Sequence, residues 1–354
     1  MRLPGRTPRE QGYRMPAEWA EHEATWLSWP KNPLTFPEEI LANVEAIYCE
    51  LIFALSEGEG VRVLVEDEKM SGRVAGLLED SGASMRNVEL LEIKSADVWI
   101  RDYGPTFLVG RNGAGRAAVK WRFNAWGEKY DDLMYDDKTG EDVVARSGGR
   151  VFRPGIVLEG GSIDVNGEGT VLTTEQCLLN KNRNPLLSRE QIEGYLRDYV
   201  DAPNVIWLTS GIEGDDTDGH VDDFARFVSP NRVVCAHSTS KLTENRAVLD
   251  VNLKLLSKAT DQDGRALQIS KLPMPRPLWL EEEQRWLPAS YANFYIGNRA
   301  VLLPVFRDRN DKKAIEIISE ALPERRIVPV YAADLVYGYG GIHCITQQEP
   351  KCQS

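Results

Sequence analysis

The chain has 354 residues, 42% of them hydrophobic, and a formal charge of −12 from 54 acidic and 42 basic residues. That is enough apolar content for a large core, and the acidic balance argues against nucleic acid or anionic lipid as partner while suiting a small cationic ligand. There is no run of about 18 apolar residues and no apolar h-region behind the basic start, so the reading is of no membrane span and no secretory signal.

Cys49, Cys177, Cys235, Cys344 and Cys352 form an odd set without a CxxC. Reduced thiols in the cytoplasm are the expectation, and Cys352 has no assigned role. Residues 1–12 read as a loose tail. No linker rich in Pro, Gly and Ser follows, so residues 1–354 read as one domain.

In chain order, apolar spacing predicts a helix over 44–57, a strand at VRVLVED (61–67) and a helix from about 70 to 82. The acidic stretch YDDLMYDDKTGEDV (130–143) reads as a solvated loop, or as a lid. Further helices are expected over 188–199, 245–259 and 311–322. Each precedes an apolar strand, namely VIWLTS, LQISKLP and RIVPVYA.

A second pattern is superimposed on the first. Small or polar residues lead into a short hairpin at DYGPTFLVGRNGAGRAAVKW, EGGSIDVNGEGTVLTT, DGHVDDFARFVSPNRVVCA, ASYANFYIGNRAVLLPVF and GYGGIHCITQQ. Such a recurrence points to a repeated supersecondary unit, arranged radially. The last hairpin lacks its second strand, which EATWLSWP (23–30) would supply by closing a ring. GAGRAA (113–118) sits in a hairpin loop and not at a strand-to-helix turn, so it is no dinucleotide fingerprint.

The chemistry-bearing residues stand at the entrances of these hairpins. In DGHVDDF, strand alternation would project His220 and Asp222 together. The spacing of GDDTDG does not fit an EF-hand. In WIRDYGP, Arg101 and Asp102 follow an apolar stretch and stand at the end of a strand before the Gly-Pro break, either facing a ligand or forming a surface pair. Glu159 holds the same place in VLEGGSI. In GGIHCI, a strand reading puts His343 and Cys344 on opposite sides, so that Cys344 faces the site, His343 packs behind it, and the glycines clear space. The partner of Cys344 is then His220. Several carboxylates around one thiol and one imidazole suit a planar cation better than an acyl group, because two carboxylates can grip a guanidinium.

These motifs, from RMPAEWAEHEATWLSWP through WIRDYGPTF, LEGGSIDVNGEGTVLTTEQCLLNKNRNP, GDDTDGHVDDFARF and SYANFYIGN to GGIHCITQQEP, resemble the agmatine deiminases of the guanidino-group-modifying superfamily. The resemblance implies the pentein fold, a five-bladed α/β propeller. It implies hydrolysis of agmatine to N-carbamoylputrescine and ammonia, in putrescine and polyamine biosynthesis, without metal or other cofactor. It places Cys344 as nucleophile, His220 as general acid and base, Asp102 and Asp222 as guanidinium ligands, and Glu159 near the histidine and substrate. Trp99 would line the guanidinium pocket, and Asp216 is a candidate for the distal amine. A cytoplasmic homo-oligomer, such as a dimer, is implied as well. The rival expectations are a bacterial-type peptidylarginine deiminase, a metal-dependent hydrolase using His220, Asp222 and Glu159, and a non-catalytic binder of cationic amines.

Overall fold

The structure is a computed structural model that describes residues 7–111 and 115–352. Its organising element is a ββαβ unit repeated five times. In the first, the antiparallel pair Thr106–Gly110 and Arg116–Val119 is followed by helix Asp136–Ser147 and by strand Arg150–Phe152, parallel to the second strand. The second unit is Asp164–Val165, Thr170–Thr174, helix Arg189–Val200 and Asn204–Leu208. The third is Ala225–Ser229, Arg232–His237, helix Asn245–Leu256 and Gln268–Pro273. The fourth is Tyr295–Ile296, Ala300–Val305, helix Asp311–Ala321 and Arg326–Tyr331.

The fifth unit joins the two ends of the chain. Gln347–Pro350 pairs antiparallel with His22–Ser28, with Gln347 opposite Trp26. Helix Glu38–Ser56 and the parallel strand Gly60–Val65 follow, and a second crossover through Glu68–Asp80 adds Val88–Glu92. EATWLSWP thus closes the ring as expected, because its buried strand supplies the ladder that the last hairpin lacks.

Local chemistry accounts for the crossover helices. Ser188 and Gln191 form a reciprocal capping box at the start of Arg189–Val200. Asp67 caps Glu68–Asp80 by accepting from the Met70 N–H. Their apolar faces pack on the sheets, for example through Ile192, Leu196 and Val200.

Four expectations need correction. The stretch 130–143 is not a loop: Asp131–Leu133 forms a 3-10 turn and Asp136 opens a helix. Its buried carboxylate accepts the Ala96 and Asp97 N–H groups, and this tertiary anchor offsets the weak helical propensity of an acidic sequence. Val221–Asp223 is a 3-10 turn and not a strand. Ile100–Tyr103 is a single helical turn. Residues 342–345 form a turn ahead of the final strand. Of the tail, residues 1–6 lie outside the described residues. Arg9–Gln11 is a 3-10 turn, and Tyr13–Arg14 pairs with the strand at 106–110. Residues 112–114 of the GAGRAA hairpin loop also lie outside the described residues.

Candidate active site

The segments entering the first strand of every unit meet one another. The Arg101 N–H donates to the Cys344 carbonyl at 3.2 Å, and the Gly161 N–H donates to Asp102 Oδ1 at 3.0 Å. Asn293 Nδ2 lies 2.9 Å from Asp223 Oδ1 and 3.3 Å from Cys344 Sγ. The five approaches therefore converge on one point, which is the geometry of a radial propeller.

Gly161 marks the tightest place. A Cβ there would stand 2.6 Å from His220 Nδ1 and 3.0 Å from both Asp102 Oδ1 and Asp222 Oδ2. Only a bare Cα lets three functional side chains from two other units crowd together. Gly340 does the same for Trp99, whose ring would sit 2.2 Å from an added Cβ.

A cavity of about 280 Å³ opens over this cluster. Cys344, Asp102, Trp99 and Asp216 all line it. Five carboxylates face it, those of Asp97, Asp102, Asp132, Asp216 and Glu283, and none of the lining residues is Lys, Arg or His. His220, Asp222 and Glu159 do not reach the wall. They lie buried beneath it, with His220 Nδ1 3.7 Å from Asp102 Oδ1 and Asp222 Oδ2 4.0 Å from Cys344 Sγ. Both His220 ring nitrogens, Glu159 Oε2 and Asp222 Oδ1 are buried without a hydrogen-bond partner among the described residues.

Burial and the carboxylates Asp222, Asp223 and Asp102 push the Cys344 thiol well above its ordinary pKa. Burial alone would lower His220. Asp102, the Cys177 thiol and Asp222 outweigh it and hold the imidazole well above its usual value. Burial raises Asp102 despite the opposing charge of His220. Asp222 goes the other way: burial would raise it, but the hydrogen bond and charge of His343, with His220 and Arg226, hold it below the ordinary range. On the cavity wall, burial pushes Asp97 up to about 6 against hydrogen bonds from Thr35, Val98 N–H and Trp99.

Several residues of the cluster were not anticipated in their roles. His343 packs behind the site, yet it does so by bridging Asp222 Oδ2 at 2.6 Å and Glu18 Oε2 at 2.7 Å through its two ring nitrogens. Arg101 is no surface residue. It is buried and bonds Gln348, Glu18 and the His343 carbonyl. Arg183 ties Glu159 at 2.6 Å to Asp218 at 2.7 Å. Trp126 Nε1 donates to Asp102 Oδ2 at 2.9 Å. The one available signal for His343, Arg101 and Arg183 was their place inside motifs otherwise read for their neighbours, and Trp126 lies outside every one of those motifs. Asp216 is engaged by the Tyr130 hydroxyl and lies 3.9 Å from Arg285.

Among the described residues, two donor groups are close enough to share a metal, Glu159 with Cys177 and His220, and Asp222 with Asp223 and Cys344. The trio His220, Asp222 and Glu159 of the metal-hydrolase expectation is not one of them. Arg183 already neutralises Glu159, so a divalent ion would meet a resident cation.

A ring of five ββαβ units with thiol, imidazole and carboxylates at its centre is the pentein arrangement of guanidino-group-modifying enzymes. A family model described as Porphyromonas-type peptidyl-arginine deiminase matches residues 14–350, and the chain belongs to that family. It is 41% identical to the agmatine deiminase of Stutzerimonas stutzeri (strain A1501), with 97% of each chain covered. With that of Ectopseudomonas mendocina (strain ymp) the identity is 39% over 98% of each. The solved agmatine deiminase of Enterococcus faecalis superposes with a TM-score of 0.91 at 34% identity over 99% of both chains. A substrate-bound agmatine deiminase of C. jejuni gives 0.85 and 31% over 97% of both. No helix among the described residues is long and apolar enough to cross a membrane.

Proposed function

We propose that this protein hydrolyses agmatine to N-carbamoylputrescine and ammonia through a covalent adduct on Cys344. The observation that carries the reading is the cavity itself: a thiol at its floor and five carboxylates around it, with no basic side chain on the wall. Agmatine is a dication, guanidinium at one end and ammonium at the other. Free arginine would bring an α-carboxylate into the same acidic surroundings and be repelled.

The guanidinium is held by Asp102 on the cavity wall and by Asp222 just beneath it, which orient its carbon toward Cys344. Before substrate arrives, burial and the neighbouring carboxylates favour the protonated thiol. The arriving cation offsets the carboxylates and favours the thiolate, whose proton passes to solvent. Sulfur attacks the guanidinium carbon, and a tetrahedral adduct forms. The His220 imidazolium gives its proton to the departing nitrogen, and ammonia leaves. The remaining S-alkylthiouronium cation keeps the charge that the two aspartates hold. Neutral His220 then takes a proton from water as the oxygen adds to the same carbon. The C–S bond breaks, releasing the carbamoyl product and the thiol. Positioned acid–base help of this kind is typically worth ~10²–10⁴ in rate.

The likeness to agmatine deiminases supports a homo-oligomeric, cytoplasmic protein with a place in putrescine formation. The pairing of 22–28 with 347–350 supports one domain spanning residues 1–354. The deciding experiment supplies agmatine, free arginine and an arginyl peptide side by side and measures ammonia and carbamoyl or citrullyl product, with Cys344→Ala as control. Preference for the peptide would replace this reading by peptidylarginine deimination. Turnover by Cys344→Ala would remove the nucleophile.

A further inference from the structure

Residues 125–128 adopt a conformation that L-residues avoid. Ala125, Trp126, Gly127 and Glu128 have φ of 49°, 55°, 95° and 62°, a full left-handed turn containing three non-glycine residues. A turn of this kind persists only where its neighbours over-determine it, and it tends to mark a functional position.

The neighbours here do so. Asn124 Oδ1 accepts the Gly127 N–H at 2.9 Å, and Asn124 Nδ2 donates to the Asn182 carbonyl at 2.9 Å. Lys129 Nζ donates to the Asp216 carbonyl at 2.6 Å and pairs with Asp218 at 3.0 Å. Phe123 meets the Trp126 ring edge to face, 5.1 Å between centroids. The result is a buried indole on the cavity wall whose N–H points at Asp102 Oδ2, 2.9 Å away. The other oxygen, Oδ1, takes the Gly161 N–H at 3.0 Å. Each oxygen of Asp102 thus has one fixed donor, and the carboxylate plane is set before any ligand arrives.

We propose that Trp126 is a positioning residue, held by the left-handed turn so that its indole N–H fixes the rotamer and the charged form of Asp102. This rests on the reading of Asp102 as a guanidinium ligand. Asp102 is a carboxylate in need of such help. Asp222 and Glu159 press on it with like charge and Asp223 and Cys344 lie close by, while the charge of His220 favours its ionised form. Removing the indole donor leaves burial and the neighbouring carboxylates less opposed, so protonation of Asp102 moves to higher pH.

The test replaces Trp126 with benzothienylalanine, which keeps the bicyclic shape and the turn but exchanges N–H for sulfur. Trp126→Phe serves as a second variant. Two readouts are needed: kcat/KM for agmatine against pH, and the titration of the Asp102 carboxyl carbon by NMR on free protein, assigned with Asp102→Asn. A hydrogen bond to a charged group is lost, so kcat/KM falls ~10–100-fold. Its acidic limb and the Asp102 titration both move to higher pH, while thermal stability stays within a few degrees. An unchanged Asp102 titration overturns the proposal even if activity falls, since a merely structural effect would do that. If the unaltered protein does not turn over agmatine, the proposed function fails, and the carboxyl titration alone decides the role of Trp126.

Discussion

Replacing Gly161 by alanine adds one methyl at the point where three units meet. Its carbon would lie 2.6 Å from His220 Nδ1 and 3.0 Å from Asp102 Oδ1 and Asp222 Oδ2. The first distance is roughly 1 Å inside the ~3.5 Å optimum for non-bonded heavy atoms. All three side chains are buried, so none can swing into solvent. The imidazole must retreat by about that 1 Å, and such a misplacement at reacting groups costs ~10²-fold in rate. That corresponds to about 2.7 kcal/mol of transition-state stabilisation. Overpacking typically costs ~1–3 kcal/mol of stability, so the melting temperature falls by only a few degrees. The assay is kcat for ammonia release beside a thermal melt. Gly72→Ala is the control: it lies in helix Glu68–Asp80 with nothing within 4 Å of an added Cβ. That variant keeps its kcat and gains about 1 kcal/mol from helix propensity. A folded Gly161→Ala protein with unaltered kcat would refute the placement of the imidazole against the two aspartates.

Four other outcomes follow from the same geometry. Because burial and carboxylates raise the Cys344 thiol, its alkylation by iodoacetamide in free protein is slow at neutral pH and accelerates only above the ordinary thiol range. Site-resolved mass spectrometry checks this, and fast labelling near pH 7 would contradict it. The profile of kcat/KM against pH falls on the acid side as Asp102, raised by burial, takes up a proton. It falls on the alkaline side as His220 loses the proton it must donate, at a pH well above the usual histidine value. His343→Ala strips Asp222 and Glu18 of their shared partner. It costs ~3–5 kcal/mol in denaturant unfolding, as expected for breaking a buried charged network, and lowers kcat/KM. Arg183→Met leaves Glu159 buried without its counter-ion and destabilises by a similar ~3–5 kcal/mol.

Much of the architecture could be read from local pattern. Hairpin turns and helical spacing recur because each unit solves the same packing problem, and the strand His22–Ser28 betrays its buried place by its apolar content. The helix Asp136–Ser147 was hidden. Few of its residues are apolar, and what secures its start is a contact of Asp136 with Ala96 and Asp97, forty residues upstream, which no periodicity encodes. The proximity of His220 to Asp222 was expected from strand alternation, but the backbone achieves it through a 3-10 turn, with Gly161 of another unit packed against both side chains. His343 illustrates the limit best. Its place behind Cys344 was anticipated, but its two partners come from residues 18 and 222. Trp126 could not be foreseen, since a left-handed turn of non-glycine residues contradicts every local preference.

The seam that joins the ends of the molecule bears on when activity is born. Trp26 hydrogen-bonds Glu349 across 323 positions of sequence, and Cys344 stands just ahead of that strand. Closing so long a loop is entropically costly and comes late in folding, after the local blades have gained their own contacts. A chain in which residues 347–350 have not yet paired with 22–28 therefore carries four of the five approaches without the thiol in place. The reactive thiol is mounted only when the circle shuts, so an incompletely folded copy is inert by construction.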